Sequence, residues 1–261
     1  MPSVLPAYQF DVFVSYRHNE AILEWVKEFS SKLQQELDTT LKENLSIYYY
    51  NIETEGNLAY QEMEQAITEK LKAVIFIPII STGYCDPKKD AWLKEFMTFK
   101  QIASNDDIGL NVQVGNGNQL SRILPVMINH VEQGDIKQIE NEIGGFIRSI
   151  DFIYEGMEGV NRPLRSRDDD VLARKSSTLY RNQINKTANE ISKTIRQAKV
   201  KLGIEVSGQP QVSTKEKEHT NTSLTPTANG DVAKQTVFLG WTAEDCIGKR
   251  DELALILQKA G

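Results

Sequence analysis

Cysteine is nearly missing: Cys85 and Cys246 are the only two in 261 residues. They are too few and too far apart for a disulfide scaffold, and no metal-type spacing surrounds them. Histidine is scarce as well. His18, His130 and His219 each stand alone, without a second ligand at helix or loop spacing, so no metal site is expected. Long apolar runs are lacking. The longest, Ala73–Ile80, is eight residues and includes Pro78, against the roughly 20 a membrane-spanning helix needs. There is no cationic surplus either: 30 Lys+Arg against 36 Asp+Glu leave a formal charge of −6, which argues against direct binding to nucleic acid. The opening Met-Pro-Ser-Val-Leu-Pro-Ala has neither a basic start nor an apolar stretch of signal-peptide length. Together these absences point to a soluble, cytoplasmic protein that binds neither membrane nor nucleic acid.

What is present reads as globular, with 40% hydrophobic and 25% charged residues. Phe10-Asp11-Val12-Phe13-Val14-Ser15-Tyr16 has the β-branched and aromatic content of a strand. Ile22, Val26, Phe29, Leu33 and Leu37 follow at spacings of four, three, four and four, one face of a helix. The alternation continues. A strand is predicted at 47–50, a loop containing Gly56 at 51–58, a helix through Met63, Ile67 and Leu71, and a doubly buried strand at Ala73–Ile80. Next come a helix at 91–103, a strand at 122–128, a helix through Ile136, Ile139 and Ile143, and a strand at 146–154. A long helix carries Tyr180, Ile184, Ala188, Ile191, Ile195 and Ala198. This is the pattern of a doubly wound, five-stranded parallel sheet of flavodoxin-like type. Residues 104–121 read as a polar insertion and 161–170 as a charged loop.

Composition changes near Gly203. Residues 1–203 form the α/β domain, and 204–235 have the Ser, Thr, Lys, Glu, Pro and Gly content of a flexible linker. Residues 236–261 read as one further βα unit. One strand and one helix bury no core alone, so the chain is expected to be the front of a longer protein, cut inside a second α/β domain.

In such a sheet, ligands bind beyond the carboxyl ends of the strands. The segments there are Ser15-Tyr16-Arg17-His18, the loop with Gly56 and Leu58, Ser81-Thr82-Gly83-Tyr84-Cys85, and Asn129-His130. They offer a guanidinium, hydroxyls and aromatic faces to a polar, phosphate-bearing, ring-containing ligand. In the third helix Trp92, Glu95, Phe96 and Phe99 share one face. Glu95 is then either a surface glutamate beside a half-buried Trp, or a positioned carboxylate able to stabilise positive charge on a sugar ring. Gly115-Asn116-Gly117-Asn118 lacks the third glycine and the position of a dinucleotide fingerprint, and neither a Walker loop nor a nucleophile elbow occurs. Cys85 reads as a packed thiol.

These pieces in order resemble a TIR (Toll/interleukin-1 receptor) domain over roughly residues 8–202. The resemblance rests on Phe10-Asp11-Val12-Phe13-Val14-Ser15-Tyr16-Arg17, on Glu55-Gly56-Asn57-Leu58 at the BB-loop position, on Ile79-Ile80-Ser81 with Tyr84-Cys85, and on Trp92-Leu93-Lys94-Glu95. The insertion, the segment Gly159-Val160-Asn161-Arg162-Pro163-Leu164 and the long last helix are similar to bacterial members. Many TIR domains cleave NAD+ at the nicotinamide–ribose bond. The resemblance therefore implies an NAD+ glycohydrolase or cyclase, with NAD+ as substrate, no cofactor and no metal. Glu95 would be the catalytic carboxylate, and Tyr16, Arg17, Gly56, Leu58, Ser81 and Trp92 would shape the NAD+ pocket. It further implies activation by self-association through TIR–TIR contacts, as in effectors of bacterial immune or anti-phage signalling. The alternative it leaves is a non-catalytic TIR–TIR interaction module. The charged loop at 86–90 departs from compact members of the family.

Overall fold

A computed structural model of the chain describes residues 2–51, 67–86, 88–113, 119–145, 148–155, 159, 161–166 and 173–204. The chain divides into two units, Met1–Gln209 and Pro210–Gly261, and every described residue lies in the first. The expected linker beyond Ile204, the βα unit at 236–261, and Gly56 and Leu58 lie outside the described residues.

Strand β1 (Phe10–Tyr16) leads into α1 (Glu20–Thr40), then β2 (Ile47–Tyr49) and β3 (Ala73–Ile80). Helix α2 begins as a π-helix at Ala91–Phe96 and continues as an α-helix at Met97–Asn105. There follow β4 (Asn111–Gln113), β5 (Gln119–Ser121), β6 (Val126–Met127), α3 (Gln133–Ile143), β7 (Ile150–Asp151), β8 (Ile153–Glu155), β9 (Asn161–Pro163) and α4 (Ala173–Lys201). Five strands form a parallel sheet in the order β2-β1-β3-β6-β7. The protein is therefore α/β, compatible with a flavodoxin-like arrangement.

Strand alternation sends side chains to two cores, one on each face. Val12, Val14, Ile75, Ile77 and Ile79 pack with α1 and α4 residues such as Trp25, Phe29, Ile191 and Ile195. Phe13, Phe76 and Ile80 pack with Trp92, Phe96 and Phe99 of α2 and Ile139 of α3. All eight residues of β3 are buried, as a central strand requires. Pro78 fits because Phe76 bonds toward the segment before β6, through Arg122 and Leu124. Alternation turns position 78 the same way, into the gap between the Phe76–Ile123 bridge and the Ile79–Val126 pair. No donor is needed there.

Three expectations are corrected. The strand predicted at 122–128 shrinks to β6. Residues 122–124 touch β3 through the isolated Phe76–Ile123 bridge and its two backbone bonds, and regular pairing resumes only at Val126, past Pro125 and beyond Pro78 on the facing strand. The fully buried Arg122 guanidinium spans the carbonyls of Val74, Ala73 and Gly109 and both oxygens of Asp106. The strand predicted at 146–154 divides into β7, in the sheet, and β8, which pairs antiparallel with β9 inside the predicted charged loop. The polar insertion contains a second antiparallel pair, β4 with β5. Both pairs are three residues per strand, too short for a period-two pattern to stand out.

Asp11, at the start of β1, is fully buried and accepts bonds from Ser3 Oγ, Val4 N–H, Ser46 N–H and Ser46 Oγ at 2.6–2.9 Å. It fastens the N-terminal segment and the chain before β2 to the sheet. Asp11→Ala should lower the unfolding free energy by about 3 kcal/mol in urea titration, since several donors lose one charged acceptor.

Candidate active site

The strand order reverses direction between β1 and β3, the point at which an open parallel sheet leaves a crevice at its carboxyl edge. The candidate residues converge there. Beyond β1, Asn19 caps α1 by accepting the Ala21 N–H at 2.9 Å with its own backbone extended. This holds Arg17 and His18 in the short turn between strand and helix. Tyr16 is buried and its hydroxyl donates to the Tyr50 carbonyl at 2.7 Å, joining the ends of β1 and β2. The His18 ring stacks on Tyr50, with centroids 4.9 Å apart and planes at 29°, and tilts against Tyr16 at 5.2 Å.

From the other side comes α2. Its first turn is π-helical, with the Met97 N–H bonded to the Trp92 carbonyl, five residues back. Such wide turns are rare and recur at functional sites. Here the turn carries Trp92, Glu95 and Phe96 inward and leaves Leu93 56% exposed. The indole of Trp92 lies on the Phe96 ring, with centroids 4.6 Å apart and planes at 9°. Glu95 is only 2% exposed. The reading of Glu95 as a surface residue is thereby excluded.

Glu95 Oε1 sits 3.3 Å from Nε2 of His18, whose side chain is 30% exposed. The pair is at ionic distance, and Oε1 is otherwise without a hydrogen-bond partner among the described residues. Asp11, the other buried carboxylate described, is saturated. Burial alone would lower the His18 pKa; the Glu95 carboxylate, with Asp90 behind it, outweighs that and raises it above the ordinary histidine value.

The β3 loop completes the edge. Ser81 is buried, with an Oγ that likewise lacks a hydrogen-bond partner among the described residues. Tyr84 is fully buried and shares a 2.8 Å bond with Ser15 Oγ. Burial lifts its phenol well above the usual range; the Ser15 bond opposes this and the Glu95 charge adds to it. Arg17 donates to the Thr82 carbonyl at 3.0 Å and lies against Gly83, where a Cβ would meet Nη1 at 3.1 Å and φ is +78°. Cys85 is packed in the core, and burial, with the charge of Asp135, pushes its thiol up to about 12. It stays a thiol and is no nucleophile.

Of the residues expected in the site, Tyr16, Arg17, Ser81, Trp92 and Glu95 lie on these converging segments. Tyr16 and Trp92 are braces, their polar or aromatic groups already engaged. His130 pairs instead with Glu155 at an exposed position, at 3.2 Å. His18 is the residue the sequence reading missed, because a lone histidine shows nothing of a partner brought to it by folding. Separately, a cleft of about 460 Å³ between α1 and α4 is lined by Lys32, Gln35, Glu36, Thr39, Ser177 and Arg181, among others. None of the candidate residues lines it, although Tyr180, whose buried hydroxyl lacks a hydrogen-bond partner among the described residues, does. Among the described residues no helix is long and apolar enough to cross a membrane. No protein-family model and no curated protein sequence matches this chain.

Because folding raises the His18 pKa, the folded state takes up protons. The stabilisation from the pair is complete below the unfolded value of about 6.5 and is lost as pH rises through the raised folded value. At alkaline pH Glu95 is a buried carboxylate without its counter-charge. Glu95→Met should then raise the unfolding free energy by about 1 kcal/mol, with a smaller gain in mild acid. Denaturant titrations at the two pH values check this.

Proposed function

We propose that the chain is an NAD+-cleaving enzyme of the TIR type, built on a flavodoxin-like sheet, with Glu95 as its catalytic carboxylate. The observation that carries the reading is a carboxylate kept nearly dry, short of hydrogen bonds and matched with one imidazole at the switch point of the sheet. A group that serves only the fold resembles Asp11, with every lone pair directed to a donor. Unsatisfied buried polar groups are costly, and a functional role is one reason a fold retains one.

The chemistry follows from charge. Nicotinamide in NAD+ is a pyridinium, so breaking its bond to the ribose C1′ returns the electron pair to the ring nitrogen. Nicotinamide leaves neutral, and no proton is needed by the leaving group. Positive charge moves onto the ribose, where a preorganised carboxylate in a low-dielectric setting stabilises it. Water attacking C1′ gives ADP-ribose and one proton; an adenine nitrogen attacking instead gives the cyclic product. Arg17, in the β1–α1 turn and braced against the β3 loop through the Thr82 carbonyl, suits the diphosphate. The Ser81 hydroxyl, without a hydrogen-bond partner among the described residues, offers a donor at the same edge. Control through self-association, in an effector of bacterial immune signalling, is the setting the TIR resemblance supports.

The test is nicotinamide release from NAD+ by concentrated or artificially clustered protein. Glu95→Gln should reduce turnover by about a hundredfold or more while the variant stays folded. Negligible release by both proteins, even when clustered, contradicts the enzyme and leaves the interaction module.

A further inference from the structure

The pairing of Glu95 with His18 bears on how a cationic ligand is admitted, an inference that rests on the NAD+ reading and deepens it. Among the described residues His18 is the cation within ion-pair distance of Glu95. Its ring is gripped between Tyr16 and Tyr50, so Nε2 is held beside the carboxylate rather than sweeping solvent. Among the described residues, the other charged or titratable groups near the pair are engaged elsewhere. Asp90, before α2, is bridged to Lys94 at 3.3 Å. The Tyr16 hydroxyl serves the Tyr50 carbonyl, and the Tyr84 phenol serves Ser15. Tyr50 presents its ring, and the Arg17 guanidinium is turned to Thr82. Among the described residues one carboxylate therefore faces one imidazole, and in its protonated form the pair is neutral.

A pyridinium entering beside Glu95 upsets that balance. Two cations would then share one buried carboxylate, and like charges at such range repel strongly where water is scarce. We propose that the ligand cation and the His18 proton compete for Glu95: the pyridinium of an oxidised nicotinamide takes over the carboxylate, and His18 gives up its proton to solvent. His18 thus acts as a positioning residue that holds the empty site neutral. It also favours the oxidised dinucleotide, because a neutral dihydronicotinamide has no charge with which to displace the proton.

The test follows the His18 ring by NMR in histidine-labelled protein across the range in which imidazoles titrate, with the signal assigned from the His18→Gln spectrum. The probe is 1-methylnicotinamide, a pyridinium; neutral nicotinamide is the control. The cation should lower the His18 titration midpoint by about one pH unit, a tenfold weaker hold on the proton. Nicotinamide should leave it in place. Glu95→Gln should lower the midpoint by itself and abolish the response. A midpoint indifferent to the cation at every attainable concentration, or one that responds equally in Glu95→Gln, overturns the proposal. Nicotinamide release is scored separately. With turnover, kcat/KM should fall about tenfold per pH unit on the acid side, and His18→Gln should flatten that limb. Turnover with an unresponsive His18 removes only the exchange, whereas the exchange without turnover removes only NAD+ cleavage.

Discussion

Holding a carboxylate out of water beside a single imidazole is unfavourable unless the surroundings enforce it, and much of this protein's carboxyl edge does so. The Tyr16 hydroxyl ties β1 to Tyr50, and the two phenol rings fix the His18 ring. The Asn19 cap sets where α1 begins, and the stacked Trp92 and Phe96 brace the π turn that delivers Glu95. The opposing contributions come from the cores on the two faces of the sheet, which give β1 and β3 no freedom to shift.

Two buried carboxylates show the difference between architecture and chemistry. Asp11 lies at the amino end of β1 and is enclosed by donors. Glu95 lies at the carboxyl end of the sheet, and among the described residues its Oε1 faces the titratable His18 and no hydrogen-bond partner. Their placement follows the asymmetry of parallel sheets, in which loops and helix starts gather at the carboxyl edge. The Arg122 network is a third polar cluster of the structural kind, since each of its bonds closes on a carbonyl or on Asp106.

Much of the fold was legible from hydrophobic pattern. β1 and β3 have the predicted limits because β-branched and aromatic runs of seven and eight residues leave little alternative. The α1 face was legible from its four-three spacing, although Leu23 and Trp25 extend it. The short pairs β4–β5 and β8–β9 were not, and neither was the contraction to β6, where pairing breaks between the Phe76–Ile123 bridge and the Ile79–Val126 pair. For the site, the shared face of Trp92, Glu95 and Phe96 was readable. The π turn was not, because a 3.6-residue pattern and a widened turn agree over so few positions. His18 was legible as part of the edge segment after β1, but its pairing with Glu95 was not, since the partner comes from another element of the fold.

The central claim is that Glu95 meets the nicotinamide ribose, and a crystal structure with a carbocyclic, uncleavable NAD+ analogue tests it most directly. The Glu95 carboxylate is expected within hydrogen-bond reach of the ribose hydroxyls, about 2.6–3.2 Å, with His18 drawn away from it. An analogue seated elsewhere, such as the cleft between α1 and α4, with the His18–Glu95 pair undisturbed, would contradict the account.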